Sequence, residues 1–369
     1  MIICILKESK VSESRTPLIP KDILFLKKKF PKLNFLIEPS KKRIIKDKEY
    51  YEIGCEKFTN QKVDLFLSVK EVSLNKIKSN QNYMMFSHTI KGQSGNIPLL
   101  KKILEGNCSL IDYELLKNKK GKRQVGFGWY AGIMGTYLTL SKSLQLKKKL
   151  KKNYTINDLI KNFHNIDLQD LKILITGDGL VSEGAQFFLK KIGIFPIKKP
   201  NKNIPSFKIL PPNQYYKRMD GKFNINDLIK GKGKYKSEFT KYIGNYDIYL
   251  ACHYWDSRFP KLFNKKDVNS RFFRIIGDIT CDIDGSVPTT IKSTTLKSPY
   301  YNYKNMEIMA VDNLPSALPY EASKYFSNKL KNVLPKILKS LDEDTIEEYY
   351  VSKKGYLNFR YLNLLNYLI

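Results

Sequence analysis

A chain of 369 residues, 42% of them hydrophobic, is too long for one simple core and has the composition of a globular protein built from two domains of ordinary size. Its formal charge of +30 raises the question of a polyanionic partner, but the charge rests on 57 lysines and only eight arginines, in company with abundant Ile, Asn, Tyr and Phe. That is how a genome biased toward A and T writes a protein, so dispersed surface lysine is a better reading than a nucleic-acid-binding patch. Five widely spaced cysteines without a CxxC pair argue against a disulfide framework or a structural zinc site, and no apolar run reaches the ~18 residues of a membrane span.

From residue 1 to about 125, short apolar runs alternate with basic amphipathic stretches: "MIICIL", "DILFLKKKF", "NFLIEP", "VDLFLSV", "YMMFSH", "CSLIDYELL". Short strands separated by helical stretches predict a mostly parallel α/β sheet. The start, "MIICILKESK", has no basic n-region, and the expected compartment is the reducing cytosol. "FGWYAGIMGTYLTL", 127–140, reads as a buried helix, and residues 142–170 read as a lysine-rich helical link. A second α/β series begins near 171 with "LKILITGDGL" and continues through "YDIYLACHYW" and "RFFRIIGDIT". Segment 196–234, rich in Pro, Lys, Asn and Gly, reads as an insertion or long loop. After 320, "EASKYFSNKLKNVLPKILKSL" predicts a long helix, kinked or broken near Pro335.

"ILITGDGLVSEGAQFFLKKIG", 173–193, has the order strand, glycine turn, helix expected of a dinucleotide site. Gly177 and Gly179 occupy the first two glycine positions, Ser182 stands at the third, and Gly184 follows. About 20 residues beyond such a turn, an NAD site offers Asp or Glu to the adenosine ribose. Here the second strand reads as ending in "IFPIKKP", where Lys198 and Lys199 would suit the 2′-phosphate of NADP, or are compositional lysine in a loop.

Longer stretches narrow the reading. "KESKVSESRTPLIP", "IEPSKKRIIKDKEYYEIG", "FSHTIKGQSGNIPLL", "LIDYELL", "FGWYAG", "ITGDGLVSEGAQ" and "VDNLPSALPYEAS" follow one another in an order that resembles the saccharopine-forming lysine–2-oxoglutarate reductases and the lysine-forming saccharopine dehydrogenases. These belong to the wider alanine dehydrogenase and transhydrogenase superfamily. The resemblance implies an α/β fold of two Rossmann-like domains with parallel sheets and a cleft between them. Residues 1–135 with 320–369 would form the substrate domain, and 136–319 the NAD(P)-binding domain.

The implied reaction joins the ε-amine of lysine to the carbonyl of 2-oxoglutarate, passes through an imine and moves hydride between the imine carbon and a nicotinamide. The reverse direction splits saccharopine. Small molecules are therefore the expected partners, rather than a membrane or a nucleic acid, and NAD or NADP the expected cofactor. By resemblance, Lys70 and His88 are the acid–base pair. Arg15 and Arg123, two of the few arginines, are expected to hold substrate carboxylates in a bidentate fork, with structural ion pairing as the alternative. Lys7 and Lys91 are candidate further cations, and Glu114 a carboxylate that pairs with them. In the second domain, Gly177, Gly179, Ser182, Asp278, Asp312 and Leu314 are expected at the cofactor. Asp282, like Asp278, follows an apolar strand where ligands gather, with loop capping as the alternative for it and for Asp284; His253 reads as cleft lining and His164 as surface, and no ligand set suggests a metal. Alanine dehydrogenase, using pyruvate and ammonia, is the near rival. A basic nucleic-acid-binding protein, or a relative that keeps the fold without catalysis, are the distant ones.

Overall fold

In the computed structural model, residues 1–92, 94–119, 121–146, 154–197, 204–343 and 345–367 are described, Lys91 and Ser94 by backbone only. The chain divides into two units, Met1–Gly126 with Pro319–Ile369, and Phe127–Leu318.

The first unit opens with β1 (Ile2–Ile5), α1 (Pro20–Lys29), β2 (Asn34–Ile37), α2 (Asp47–Tyr51), β3 (Glu56–Lys57), β4 (Leu65–Leu67), β5 (Asn82–Met85), α3 (Ile97–Glu105) and β6 (Ser109–Asp112). The longer strands are buried along most of their length instead of alternating, as apolar runs are when both sheet faces are covered. Prolines open α1 and α3, where a missing N–H costs no helical bond.

The second unit contains α4 (Gly128–Ser143), α5 (Ile156–Lys161), β7 (Lys172–Thr176), α6 (Leu180–Lys191), β8 (Phe195–Pro196), β9 (Ser206–Leu210), α7 (Pro212–Tyr215), β10 (Tyr216–Arg218), α8 (Ile225–Ile229), β11 (Tyr235–Ser237), β12 (Ile248–Ala251), β13 (Ile275–Asp278), β14 (Tyr300–Tyr303) and β15 (Met306–Met309). Its sheet runs β14-β15-β13-β12-β7-β9-β8, parallel except for β14. Helix α4 lies wholly in this unit, so the chain crosses over ahead of the expected 135/136.

The chain then returns to the first unit with α9 (Pro319–Asp342), β16 (Tyr350–Lys353) and β17 (Tyr356–Leu357). The first sheet reads β17-β16-β6-β5-β4-β1-β2-β3, parallel from β3 to β6 and closed by the antiparallel pair β16 and β17. Helix α9 docks on α1 through Asp22, which accepts from Ser327 Oγ and Lys331 Nζ, both at 2.6 Å.

Two expectations need correction. The stretch 196–234 is not one long loop: β9 pairs with β7 over five residues, its Phe207 and Leu210 buried, while the surrounding Pro, Asn and Lys hide that short apolar pattern. Helix α9 is also not broken at Pro335 but continues past it to Asp342, which leaves of the two expected alternatives only a kink. Buried Phe326, Leu330 and Leu334 before the proline and Ile337 and Leu338 after it give both halves a common apolar face, which offsets the lost backbone bond. Of the expected link, α5 is formed, opened by a Thr155/Asp158 capping box, and residues 147–153 lie outside the described residues. Among the described residues no helix is long and apolar enough to cross a membrane.

Candidate active site

A parallel sheet delivers the C-terminal ends of its strands to one edge, and adjacent strands lie about 4.8 Å apart. In the first unit that edge receives, from neighbouring strands in order, Glu8 after β1, Lys70 and Glu71 after β4, His88 after β5 and Glu114 after β6. Backbone bonds extend the ladder beyond the strands, from Leu6 N–H to the Leu67 carbonyl (2.9 Å) and from Phe86 N–H to the Val69 carbonyl (3.1 Å). The ends are therefore held in mutual register.

His88 has φ +53°, a left-handed conformation that carries strain for a residue with a Cβ. Its neighbours hold it there. Ser87 donates from N–H (2.9 Å) and Oγ (2.5 Å) to buried Asp112, and Ser87 Oγ also meets Thr89 Oγ1 at 2.8 Å. The ring is aimed by Glu71, whose Oε1 lies 2.5 Å from Nδ1. Burial would raise the Glu71 carboxyl, but the hydrogen bond and charge of His88, helped by Lys10 at 3.4 Å, outweigh it and hold the group at about 2. An ionised Glu71 can only accept, so Nδ1 is the nitrogen that donates to it and Nε2 is left without that partner. Asp112 is raised by burial and by the charge of Glu114.

Lys70 is half-buried just beyond β4, the strand paired with the one that leads to His88, and its N–H donates to Glu8 Oε2 at 3.0 Å. Glu114 and Arg123 approach at 3.5 Å, with Arg123 exposed. Lys7 is exposed, its backbone N–H bonded to Glu38. The side chain of Lys91 lies outside the described residues. Arg15 departs from the expectation of a fork open to substrate: it is 2% exposed, and its Nε and Nη2 close on Glu13 at 2.8 and 2.5 Å. The bidentate edge thus serves a buried internal pair.

In the second unit, Gly177 takes φ +90°, and a Cβ there would lie 2.6 Å from His253 Cα. Its N–H donates to the Leu210 carbonyl at 2.9 Å, tying the turn to β9. A Cβ on Gly179 would meet nothing within 4 Å, and as N-cap of α6 this residue offers no side-chain acceptor to the first-turn amides. Open space beside uncapped amides fits the pyrophosphate of a dinucleotide. Ser182 is buried inside α6 with Gln186 Nε2 at 3.2 Å from its Oγ. The close packing that a third glycine would permit comes instead from Gly184, against the backbone of Trp129 in α4, and from Gly132 of α4, against Val181.

The strand beside β7 is β9, so the ribose-reading position follows Leu210 and not "IFPIKKP". Pro211, Pro212, Asn213 and Gln214 stand there, without a carboxylate, while Lys198 and Lys199 lie outside the described residues. Asp278, expected at the cofactor, is fully buried and accepts from Thr280 Oγ1 (2.5 Å), Thr290 Oγ1 (2.6 Å) and the amides of Thr280 and Cys281 (both 3.1 Å). Burial nonetheless pushes its carboxyl up to about 6. A carboxylate at a strand end can anchor its own loop as readily as bind a ligand, and this one anchors its loop. Asp312 is exposed, and Leu314 is buried against α4 near Gly135. His253 is a core residue and not cleft lining, bridging Thr176 Oγ1 (2.7 Å) and Ser286 Oγ (2.8 Å), with burial lowering it to about 3.

Glu8, Glu13, Glu71 and Asp112 were missed from sequence. The available signal for Glu8, Glu71 and Asp112 was their place at or just after an apolar strand, the same signal that marks Lys70 and His88. Among the described residues no group of three or more His, Cys, Asp or Glu is placed to hold a metal ion.

The family models for the N-terminal and C-terminal domains of alanine dehydrogenase/PNT match residues 4–134 and 215–357. The chain is 29% identical to alpha-aminoadipic semialdehyde synthase of Arabidopsis thaliana over 86% of its own length and 36% of that protein's, and 27% identical to the Rattus norvegicus mitochondrial protein of that name over 89% and 42%. It thus spans well under half of these longer relatives. Saccharopine dehydrogenase [NAD(+), L-lysine-forming] of Schizosaccharomyces pombe is 26% identical over 95% of both chains. Among solved structures, an L-alanine dehydrogenase superposes with TM-score 0.65 at 15% identity over 100% of both chains. The transhydrogenase of Sinorhizobium meliloti gives 0.63 at 13% over 97% of this chain and 98% of that one, and both show a shared fold.

Proposed function

This chain belongs to the alanine dehydrogenase/PNT family, and from that premise we propose that it is an NAD(P)-dependent oxidoreductase interconverting saccharopine with L-lysine and 2-oxoglutarate. The observation that carries the reading is the strand-end row of Lys70, Glu71 and His88, which joins a half-buried lysine to a carboxylate-oriented imidazole. The full-length similarity to a lysine-forming saccharopine dehydrogenase supports the substrate class. His88 Nε2 exchanges protons with the nitrogen and hydroxyl groups of the carbinolamine and imine steps, and Lys70 acts as its partner. Arg123, Lys7 and Lys91 supply cations for the substrate carboxylates. The Gly177–Gly179 turn and the start of α6 would hold the pyrophosphate of a nicotinamide cofactor, which when bound would supply or accept the hydride. The missing carboxylate after β9 favours NADP, because Pro211, Pro212, Asn213 and Gln214 themselves set no negative charge against a 2′-phosphate.

The test follows NADH and NADPH absorbance in parallel, with 2-oxoglutarate plus lysine, 2-oxoglutarate alone, or pyruvate plus ammonia. Lysine-dependent oxidation is expected, faster with NADPH. Oxidation only with pyruvate and ammonia would move the chain to alanine dehydrogenase chemistry, and silence in all arms and in the saccharopine-cleaving direction would overturn the proposal.

A further inference from the structure

Glu8 lies three residues beyond β1, 6% exposed, and grips the neighbouring strand end rather than solvent. One carboxylate oxygen accepts the Val69 amide at 2.6 Å and the other the Lys70 amide at 3.0 Å. The clamp therefore acts at the backbone from which the Lys70 side chain departs. We infer that Glu8 is a positioning residue for the reaction proposed above, its two-oxygen clamp on residues 69 and 70 setting where the Lys70 amine stands. This inference rests on the proposed acid–base role of Lys70, and the clamp itself is observable without it.

The ionisation state decides the strength of the clamp. A carboxylate presents two equivalent acceptors, whereas the protonated acid turns one oxygen into a hydroxyl, a poorer acceptor for an amide. Burial pushes this carboxyl up and Glu13 adds to it, while the two amides and Arg15 oppose, leaving it at about 7. The groups facing it are Glu13 and Arg15 from the segment after β1, and the two amides after β4. Tyr113 after β6 feels its charge, and Lys42 Nζ reaches the Glu8 carbonyl at 3.4 Å. The clamp is full above neutrality and weakened below it, so turnover falls on the acid side as Glu8 protonates.

Glu8→Gln offers one acceptor oxygen at every pH and mimics the weakened state. With this chain, kcat of the variant is expected about tenfold below wild type at pH 8 and within about twofold of it at pH 6, with the KM for nucleotide unchanged. The acid limb assigned to Glu8 disappears from its kcat profile. Identical pH profiles for the two proteins would overturn the inference. So would a uniform loss at all pH values accompanied by a lower melting temperature and loss of nucleotide binding, which marks a residue that only holds the fold. The Val69 and Lys70 amide resonances of 15N-labelled protein test the clamp without any assay of turnover. They are expected to shift together with a midpoint near 7 in wild type and to stay flat in Glu8→Gln, and flat wild-type resonances would overturn the inference. A wild-type protein inactive in every arm but with these amides titrating would sink the functional reading and leave the clamp standing.

Discussion

Replacing Gly184 by alanine tests whether the packing task of the third turn glycine has moved two residues along α6. Gly184 meets the Trp129 backbone of α4, and Gly132 of α4 meets the Val181 backbone, so the helices touch main chain to main chain at two points. A Cβ at 184 would overlap the Trp129 carbonyl oxygen and lie 2.8 Å from its carbon, where non-bonded carbons prefer about 3.5–4.0 Å. The helices must part by roughly 1 Å, a gap that forfeits about a quarter to a half of each dispersion contact on that face. Among those contacts is the ring pair Trp129 and Phe187, at 4.9 Å. Overpacking costs about 3 kcal/mol, and better helix propensity returns about 1 kcal/mol. The net loss of about 2 kcal/mol corresponds to a melting temperature lower by roughly 4–8 °C for a unit of this size. Circular dichroism melts and urea titration of the full chain measure it. Gly132→Ala is expected to behave alike, and the double variant to cost less than the sum, because helices already parted admit the second methyl group. A Gly184→Ala protein melting at or above wild type would refute the reasoning.

Gly179→Ala, whose methyl group would enter open space, is expected to leave the melting temperature within about 1 °C of wild type while weakening NAD(P)H binding by about tenfold or more, read by nucleotide fluorescence. His88→Gln and Lys70→Met should each lower turnover by roughly 10²–10⁴ with nucleotide affinity nearly unchanged, and full activity in either would remove the acid–base assignment. Glu71 is held at about 2 from its ordinary 4.5, so between these values the unfolded chain binds more protons than the folded one. Its contribution, about 3 kcal/mol at most, is fully present above pH 4.5 and is lost as pH falls toward 2. Urea unfolding of Glu71→Gln against wild type should show a gap at pH 7 that narrows by pH 3, and a constant gap would count against the His88 pair as its source.

The apolar runs of both sheets were legible because strands covered on both faces must be apolar almost throughout, as in "IICI" and "IYLA". Strand β9 was not, since its short run Phe207, Ile209 and Leu210 is set in a Pro-, Asn- and Lys-rich surround, and misplacing it misplaced the ribose-reading position as well. Positions at strand ends were legible, but direction was not. His88 and His253 both follow apolar strands, yet one is partly exposed and aimed by Glu71 while the other is locked into the core by Thr176 and Ser286. Arg15 shows the same limit, because a guanidinium suited to a substrate carboxylate is equally suited to Glu13, two residues away.

In a chain with 65 basic and 35 acidic residues, lysine says little about location, because one more exposed cation changes neither packing nor desolvation. A buried carboxylate is different: desolvation must be offset by specific donors, so each one implies a partner that the fold brings to it. Glu8 takes the amides that carry Lys70, Asp112 takes Ser87 beside His88, Glu13 takes Arg15, and Asp22 takes two donors from α9. Three of these four acids lie on the same C-terminal side of the first sheet or in the segment leaving β1, next to the proposed acid–base pair. Surface lysines can therefore drift with composition while these acids cannot change without leaving a buried donor unpaired, and in the first unit it is Glu8, Glu13 and Asp112 that gather beside the proposed pair, whereas buried Asp22 and Asp278 serve only helix docking and a loop.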